Sequence, residues 1–361
     1  MSNPPNLKRM PAGTGPASVA LADLRGSGKL DIVVANTSSD NATVLLGDGL
    51  GNFKPAAGSP FPAGHAPNDI AVVDLNGDGH VDLAFPNHES NNVTLLLGDG
   101  LGGFKPAPQS PLKVASKPHP HGIASGDFNG DHHADLIVES WQTNQVEVLI
   151  GDGQGNFISP GRLFPVGKMP YQRLRVADFN NDGFSDVVTT NFEGDSVTIL
   201  LSDGKGSFTD ASGSPFSAGK NPFGVAIADI NKDGNQDLAV VNYSGRPDDL
   251  KNDGVTVLLG NGKGGFNVAQ GSPFPTGSAP TRLAIGDIDG DGNLDIAVCN
   301  SGSQNLTILR GNGKGGFAAG YNIPVGRQPN GVALGDLNGD GKADIVVANQ
   351  LDNDIAVILS R

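Results

Sequence analysis

One acidic nine-residue phrase recurs seven times along this chain of 361 residues, and no other feature constrains the fold as strongly. The phrase has the form D-x-[DN]-x-D-G-x-x-D, as in "DIDGDGNLD". Its copies begin at Asp23, Asp74, Asp127, Asp178, Asp229, Asp287 and Asp336. Their spacings of 51, 53, 51, 51, 58 and 49 residues divide the chain into units of similar length. A regular period of this size indicates a repeat architecture.

Each unit has the sequence pattern of four short β-strands. A proline-led apolar stretch precedes the acidic phrase, and an apolar run such as "DIVVAN" follows it. A polar loop, an alternating strand such as "NVTLLLG" and a turn such as "GDGLGGF" come next, before a looser extended segment. Asp-Gly and Asn-Gly between alternating apolar residues are strong hairpin signals. We name the strands A to D. The sequence predicts one all-β domain over residues 1–361, a seven-bladed β-propeller with four-stranded antiparallel blades.

The two ends of the chain predict how the ring closes. The last unit stops at "DIAVILSR", after strand C, so blade seven lacks its strand D. The segment "MPAGTGPASVALAD" near the N-terminus aligns without gaps on "FPAGHAPNDIAVVD", which contains the end of blade one. We therefore expect an N-terminal strand, at roughly residues 7–12, to complete blade seven.

The acidic phrase has the composition of a calcium loop. Side-chain oxygens at positions 1, 3, 5 and 9, with the backbone carbonyl at position 7, suit a hard cation with six to eight oxygen ligands. An EF-hand would need Glu at position 12, where this chain has Val, Phe or Thr within a strand. Mg²⁺ favours fewer protein ligands and stricter geometry. Asp and Asn also stabilise turns without any metal, but recurrence in six loops favours Ca²⁺.

Six loops supply the complete set of oxygen ligands, and we expect five or six structural Ca²⁺ ions. The predicted ligands are Asp74, Asn76, Asp78, Asp82, Asp127, Asn129, Asp131, Asp135, Asp178, Asn180, Asp182, Asp186, Asp229, Asn231, Asp233, Asp237, Asp287, Asp289, Asp291, Asp295, Asp336, Asn338, Asp340 and Asp344. The third loop has His132 in place of glycine, and we expect it to bind more weakly. The first loop has Arg25 and Ser27 at positions 3 and 5. We expect no metal there, with the Arg25 guanidinium in the place of the cation.

These loops, together with the "GDGxGxF" turns, resemble the FG-GAP or VCBS repeat family, the integrin α-subunit type of seven-bladed propeller. The resemblance covers all seven units. It implies that the complete acidic loops bind structural Ca²⁺. Members of this family include adhesion receptors, fungal lectins and propeller domains attached to enzymes. The resemblance therefore implies the fold and the metal, whereas the ligand must be argued from a site.

Antiparallel topology predicts which face carries a ligand site. The A–B acidic loops and the C–D turns lie on one face, and the B–C loops and D-to-A crossings lie on the other. Basic and imidazole side chains concentrate in the crossings, and aromatic residues accompany them. Solvated loop lysines and core packing are the alternative explanations. The predicted ligand residues are His119, His121, Trp141, Tyr171, Arg173, Tyr243, Arg282 and Arg327.

This site predicts a glycan ligand, because an aromatic platform beside hydrogen-bonding groups is what sugar binding uses. Arg173 and Arg282 favour an acidic polysaccharide, since guanidinium groups pair with carboxylates. The leading hypothesis is a calcium-stabilised extracellular binding propeller, lectin-like or adhesive, without catalysis. A polysaccharide lyase that uses His119, His121, Tyr171 and Arg173 is one alternative. A protein–protein adhesion scaffold is the other.

Charge and hydropathy limit the partners further. A formal net charge of −14 and a pI near 4.7 argue against nucleic acid. No apolar run approaches the length needed to span a membrane. We expect a monomer whose partner is a glycan or a cell-surface protein. Weak calcium loops need roughly millimolar metal, which predicts a secreted, periplasmic or cell-surface location. The start "MSNPPNLKRM" lacks the apolar core of a signal peptide, so we expect any leader to have been removed.

Overall fold

The repeated units form seven small antiparallel sheets arranged as a ring of blades in a computed structural model that describes residues 6–243 and 253–360. Strand β1 (Asn6–Pro11) comes first in the chain but belongs to the last blade. Blade one contains β2 (Pro16–Ala22), β3 (Asp31–Asn36), β4 (Asn41–Gly47), β5 (Phe53–Pro55) and β6 (Phe61–Pro62). Blade two contains β7 (Ala71–Val73), β8 (Asp82–Asn87), β9 (Asn92–Gly98), β10 (Phe104–Pro106) and β11 (Leu112–Lys113). Blade three contains β12 (Pro120–Gly126), β13 (Asp135–Ser140), β14 (Gln145–Leu149) and β15 (Arg162–Pro165).

The remaining blades repeat this order. Blade four contains β16 (Pro170–Ala177), β17 (Asp186–Asn191), β18 (Ser196–Ser202), β19 (Phe208–Asp210) and β20 (Phe216–Ser217). Blade five contains β21 (Pro222–Ala228), β22 (Asp237–Asn242), β23 (Gly254–Gly260) and β24 (Phe266–Val268). Blade six contains β25 (Pro280–Gly286), β26 (Asp295–Asn300), β27 (Asn305–Gly311) and β28 (Phe317–Pro324). Blade seven contains β29 (Pro329–Gly335), β30 (Asp344–Asn349) and β31 (Asp354–Leu359). Among the described residues, a 3₁₀ turn over Phe192–Gly194 is the only helical element, and no helix there is long and apolar enough to cross a membrane.

The second strand of each blade is buried along its whole length because neighbouring blades cover both of its faces. In β3, β8, β13, β17, β22, β26 and β30 all six residues are buried. Such strands read as continuous apolar runs, and "DIVVAN" is one of them. Apolar side chains pack between adjacent blades in seven clusters within the described residues.

Strand β1 closes the ring, as the sequence predicts. It pairs antiparallel with β31 from Asn6 opposite Leu359 to Pro11 opposite Asp354. Blade seven therefore has the order β1-β31-β30-β29. Blades seven and one then share a core of the same kind as the other neighbours, in which Val34 packs with Val346 and Val357. The prediction of a seven-bladed propeller with a split last blade is confirmed in this topology.

The ring has two distinct faces. The acidic face carries the seven A–B loops that begin at Asp23, Asp74, Asp127, Asp178, Asp229, Asp287 and Asp336, together with the C–D turns. The crossing face carries the B–C loops and the seven D-to-A crossings that end at Pro16, Pro67, Pro120, Pro170, Pro222, Pro280 and Pro329. The B–C loop and the preceding crossing touch each other, for example where the Thr37 backbone N–H donates to the Gly15 carbonyl at 2.9 Å.

Candidate functional site

Backbone N–H groups fold each acidic loop around its own carboxylates. In blade two, the Gly79 N–H donates to Asp74 Oδ2 at 2.8 Å. Both carboxylate oxygens of Asp82, the ninth residue of the loop, also accept backbone hydrogen bonds. Oδ2 accepts from the Leu75 N–H at 2.9 Å, and Oδ1 accepts from the Gly98 N–H at 2.7 Å. The contact from the sixth residue to the first recurs in all seven loops. The sequence pattern therefore specifies one loop shape, with the oxygen-bearing side chains on a common turn.

The loop of blade six brings three carboxylates closest together. One oxygen each from Asp287, Asp289 and Asp295 lie within 4.8 Å of one another. In the loop of blade two the third residue is Asn76, whose Nδ2 donates to Asp78 Oδ2 at 2.9 Å. In the loop of blade six the third residue is Asp289, and its carboxylate has no such proton to donate. Hard oxygen ligands at this spacing are what Ca²⁺ binds in proteins, so the donor set fits the metal that the sequence predicts.

The ninth-position carboxyls of the six complete loops have raised pKa values. Burial raises the pKa to about 6 for Asp82, Asp135, Asp186 and Asp237. Burial also raises the pKa of Asp295 and Asp344. The other carboxylates of the same loop add repulsion to this effect. A cation in the loop would favour the ionised form of each carboxyl and so reverse both effects.

The loop of blade one has an arginine where the others have Asn or Asp. Arg25 Nη2 lies 2.7 Å from Asp31 Oδ1, and Arg25 Nε lies 3.1 Å from Asp31 Oδ2. The same Nη2 donates to the Gly47 carbonyl at 2.6 Å. The guanidinium thus neutralises the ninth-position carboxylate, whereas Asp23 accepts hydrogen bonds from the Ser27 and Gly28 backbone N–H groups. The arginine pairs with Asp31, one of the two carboxylates that a cation would bridge, and the absence of metal from this loop stays a prediction.

The loop of blade three keeps the common backbone shape without its glycine. His132 adopts a left-handed conformation with a φ of 66°, and its N–H donates to Asp127 Oδ2 at 2.9 Å. An L-residue with a side chain is strained in this region. Weaker metal binding by this loop stays a prediction.

Freed of metal, the protein should lose stability as the pH rises from about 4 to above 6. A ninth-position carboxyl with a folded pKa of about 6 has an unfolded pKa of about 3.9. Between these values the folded state binds more protons than the unfolded state, so the free energy of unfolding falls as the pH increases. Melting curves of metal-free protein at several pH values will measure this trend. Carboxyls with lowered pKa values, such as Asp40, titrate below this range. A metal-free protein that gains stability steadily between about pH 4 and 7 would contradict the assignment.

A cavity of about 540 Å³ opens at the centre of the crossing face, where side chains from all seven blades meet. This volume lies within the range of small-molecule sites. Two positions of the repeat supply most of its wall. The first residue after each strand B contributes Thr37, His88, Trp141, Phe192, Tyr243, Ser301 and Gln350. The residue after the crossing proline contributes Asn68, His121, Tyr171, Phe223, Thr281 and Asn330. We call this the crossing cavity.

The two halves of the crossing cavity differ in chemistry. Blades three to five supply an aromatic arc in which Trp141, Tyr171, Phe223 and Tyr243 follow one another at ring-centroid distances of 5.5, 5.1 and 5.2 Å. Blades six, seven, one and two supply amides and hydroxyls. These are Thr281, Ser301, Gln328, Asn330, Gln350, Thr37 and Asn68. The wall thus offers an apolar platform opposite a row of hydrogen-bonding groups.

Two buried donors of the aromatic half lack partners among the described residues. His121 Nδ1 lies 2.6 Å from Asn68 Nδ2, so Nδ1 accepts and Nε2 carries the ring proton. His121 Nε2 and Trp141 Nε1 have no hydrogen-bond partner in that part of the chain. Burial lowers the pKa of His121 well below its ordinary value, so this imidazole is neutral. Buried donors are normally satisfied, and a bound acceptor would satisfy these two.

The structure places five of the eight predicted ligand residues in or beside the crossing cavity. His121, Trp141, Tyr171 and Tyr243 line the crossing cavity. His119 lies at its edge, stacked on His88 at 4.2 Å. Tyr243 is followed by the long blade-five loop over residues 244–252, which lies outside the described residues.

Arg173 and Arg282 are buried, whereas the sequence analysis places them on the crossing face as residues that pair with the carboxylates of a ligand. They are 9% and 2% exposed, because both belong to inner strands that line the central channel. Arg173 Nη2 lies 3.5 Å from Asp69 Oδ1, and Arg175 Nη1 lies 3.7 Å from Asp69 Oδ2. Burial alone would raise the pKa of Asp69, but the charges of these arginines and of Arg282 hold it below its ordinary value. The arginines form a buried network beneath the cavity.

Three outer cations of the crossing face are also paired with carboxylates. Arg327 Nε lies 2.5 Å from Asp352 Oδ1, and Lys168 Nζ lies 2.7 Å from Glu193 Oε2. Lys220 pairs with Asp195 in the same way. Each pair joins a crossing to a neighbouring B–C loop. The cationic ligand surface that the sequence suggests is therefore largely neutralised, and Arg327 lies outside the cavity.

Phe192, Gln328, Asn330 and Gln350 line the cavity, although the sequence analysis did not select them. A comparison of equivalent repeat positions would have found three of them. Phe192 and Gln350 follow strand B, as Trp141 does, and Asn330 follows a crossing proline.

The family model described as an FG-GAP-like repeat matches residues 23–85, 178–240, 241–298 and 287–347, well over half of the chain. The chain belongs to the FG-GAP-like repeat family. Among curated proteins, the human T-cell immunomodulatory protein is similar to this FG-GAP-like propeller, with 26% identity over 234 residues. The match covers 62% of this chain and 36% of that protein, so the chain spans about a third of its relative's length.

Solved structures share the propeller fold. A lectin from Agrocybe aegerita that recognises non-reducing terminal N-acetylglucosamine matches with a TM-score of 0.56 and 20% identity, over 86% of this chain and 81% of its own. Virginiamycin B lyase from Staphylococcus aureus matches with a TM-score of 0.63 and 13% identity, over 99% of both chains. At such identities the likeness shows the fold of the FG-GAP-like propeller and nothing about its ligand.

Proposed function

We propose that this protein is a calcium-stabilised, glycan-binding propeller that acts outside the cytosol, with the crossing cavity as its ligand site. The observation that carries the proposal is the division of the cavity into an aromatic half and an amide and hydroxyl half. A pyranose ring has the matching division, with an apolar C–H face and a rim of hydroxyls. Aromatic rings favour the apolar face, and amides both donate to and accept from hydroxyls.

The two unpartnered donors support a ligand that carries acceptors. His121 Nε2–H and Trp141 Nε1–H are both buried in the wall of the aromatic half. A sugar hydroxyl or an acetamido carbonyl would accept from either donor and remove the cost of leaving it unpaired. The terminal N-acetylglucosamine recognised by the Agrocybe aegerita lectin has both kinds of acceptor, which supports the same class of ligand here.

Neutral sugars fit this site better than the acidic polysaccharide that the sequence suggests. Arg173 and Arg175 lie against Asp69 below the cavity. The positive charge of Arg282 also lowers the pKa of Asp69 and so favours its ionised form. At the rim, Arg327 is engaged by Asp352. A ligand carboxylate would have to displace a protein carboxylate that is already in place, so it gains little from these cations.

The hydrogen bonding of His121 supports binding without turnover. A lyase needs a general base with a free lone pair near the proton that it removes. His121 Nδ1 accepts from Asn68 and Nε2 carries the proton, so this tautomer offers no free lone pair. Arg173 is buried beneath the wall and paired with Asp69. His121, the predicted catalytic imidazole in the cavity wall, is therefore not available as the base of a polysaccharide lyase, and we propose a binding protein.

The six complete acidic loops would hold Ca²⁺ through the predicted oxygen ligands. A bound ion would offset repulsion among carboxylates such as Asp287, Asp289 and Asp295, and it would stabilise the loop without entering the crossing cavity on the other face. Surface loops of this kind bind weakly enough to need roughly millimolar metal, which supports a location outside the cytosol.

Replacing Trp141 by Ala should weaken glycan binding by about tenfold, roughly 1.4 kcal/mol, because the variant loses a stacking surface and a donor. A glycan array screened with wild type at fixed Ca²⁺ identifies the sugar, and titration calorimetry with that sugar gives the affinity of the variant. Trp141→Phe should retain more affinity, since blade four has Phe192 at the equivalent position. Leu101→Ala is the control, because Leu101 is 76% exposed on the acidic face.

Three results would contradict the proposal. If Trp141→Ala binds the glycan as tightly as wild type does, the crossing cavity is not the glycan-binding site. Array signals restricted to acidic glycans would contradict the argument for neutral sugars. No binding to any glycan would favour a protein partner, and the release of an unsaturated sugar from a bound polysaccharide would establish the lyase alternative.

A further inference from the structure

A cluster of two histidines and a glutamate lies at the edge of the crossing cavity, apart from the acidic loops. One imidazole nitrogen each from His88 and His119 and one carboxylate oxygen of Glu89 lie within 4.8 Å of one another. The two imidazole rings stack at 4.2 Å between centroids. His88 is half-buried and also lines the cavity, whereas Glu89 is exposed enough for an ion to enter from solvent. Neither the calcium loops nor the glycan site uses Glu89 or His119.

Two atoms of the cluster already stand at the separation of two metal ligands. His88 Nδ1 lies 2.9 Å from Glu89 Oε1, where one ion with bonds of about 2.1 Å can reach both atoms. The ion would take the place of the proton that these two atoms otherwise share, because an imidazole binds metal through the lone pair of a deprotonated nitrogen. His119 Nδ1 lies 3.3 Å from the His88 carbonyl, an acceptor, so the neutral ring carries its proton on Nδ1 and keeps the lone pair of Nε2 for the ion.

The position of His119 is fixed by a feature of the repeat. His119 has a φ of 64°, and its N–H donates to Asn91 Oδ1 at 2.8 Å. The same contact from the B–C loop to the next crossing holds Ala66, Met169, Asn221 and Ala279. Several crossings therefore share the backbone conformation of His119, and the blade-three crossing differs from them in its side chains. Among the described crossings, that of blade three alone combines a histidine here with a histidine after the preceding strand B.

We propose that His88, His119 and Glu89 form a binding site for Zn²⁺ or a similar transition-metal ion. Two imidazoles and one carboxylate are the protein ligands of many zinc sites that keep a fourth position open. Imidazole nitrogen favours zinc over calcium, so this site and the oxygen-only acidic loops select different metals. Because His88 belongs to both the cluster and the cavity wall, the ion lies beside the ligand site. Its open position can accept a hydroxyl or carboxylate oxygen of a ligand.

Calorimetric titration of the full chain with ZnCl₂, in millimolar CaCl₂ to keep the acidic loops saturated, tests the site directly. We expect one equivalent of Zn²⁺ to bind to wild type. His119→Ala and Glu89→Gln should each weaken that binding by more than tenfold, since changing even a supporting residue of a metal site costs about this much. Alanine is tolerated at the backbone of His119, because Ala66 and Ala279 occupy the equivalent positions with φ values of 58° and 52°.

Two controls make the outcome decisive. His80→Ala removes an exposed histidine on the acidic face and should leave zinc binding unchanged. Melting curves in Ca²⁺ alone should be the same for wild type and for Glu89→Gln, which keeps the shape of the side chain. The proposal is overturned if wild type binds no saturable equivalent of zinc. It is equally overturned if His119→Ala and Glu89→Gln bind zinc as wild type does.

Discussion

A chain that lacks residues 1–11 should lose more than about 4 kcal/mol of unfolding free energy, the range reached when a core element is removed. The deletion removes β1, which pairs with β31 along six residues. It also removes Leu7 and Met10, which pack on the cores between blades six and seven and between blades seven and one. The deletion leaves β31, whose residues 355–358 are buried in the complete blade, as the outer edge of blade seven. Denaturant unfolding monitored by tryptophan fluorescence and circular dichroism measures the loss.

Matched deletions separate the loss of the strand from the loss of terminal residues. A chain that lacks only residues 1–5 keeps β1 complete and should unfold as wild type does. A Leu7→Ala, Met10→Ala double variant keeps the backbone pairing and should lie between the two deletions. Since an open edge can pair with another copy, sedimentation should also show self-association of the long deletion. Equal unfolding midpoints for the long deletion and wild type would refute the closure of the ring by β1.

The fold could be predicted from the sequence because its signal is repeated seven times. One "DIVVAN" segment could be a strand or a piece of a buried helix, but seven runs at a period near 50 residues, each followed by a Gly-rich turn, leave little choice. The split last blade was predictable for the same reason, since the N-terminal segment aligns with the other crossings. Details that occur once were not predicted. The 3₁₀ turn over Phe192–Gly194 follows no repeated pattern.

The ligand site could be predicted only in part, because a sequence position does not give the direction of its side chain. His121 and Tyr171, which both follow a crossing proline, line the cavity, and their role in ligand binding stays a prediction. Arg173 lies within an irregularity in the pairing of β16 with strand B, and Arg282 lies directly after one in β25; both are buried. Their partner Asp69 comes from another blade. Contacts across the ring cannot be read from local spacing.

Removal of Ca²⁺ should lower the stability of wild type by several kcal/mol, through the acidic loops that we propose as its sites. An independent site that binds only the folded state adds about 2.7 kcal/mol when the free metal exceeds its dissociation constant a hundredfold. Several such sites act together, so the difference between chelator and millimolar Ca²⁺ should be large in thermal and denaturant unfolding. Equal stability under the two conditions would contradict both the calcium sites and the extracellular location that we infer from them.

The loop of blade one provides the control that decides whether the metal is bound in the acidic loops. Asp295→Asn should reduce the calcium-dependent gain by the contribution of one site, because it removes a ligand from the loop with the closest carboxylates. Asp31→Asn changes the equivalent residue of a loop in which Arg25 occupies the cation's place. It should lower stability by the same amount with and without Ca²⁺, since the lost partner is a guanidinium. If the two substitutions alter the calcium-dependent gain equally, the metal that stabilises the protein binds somewhere other than these loops.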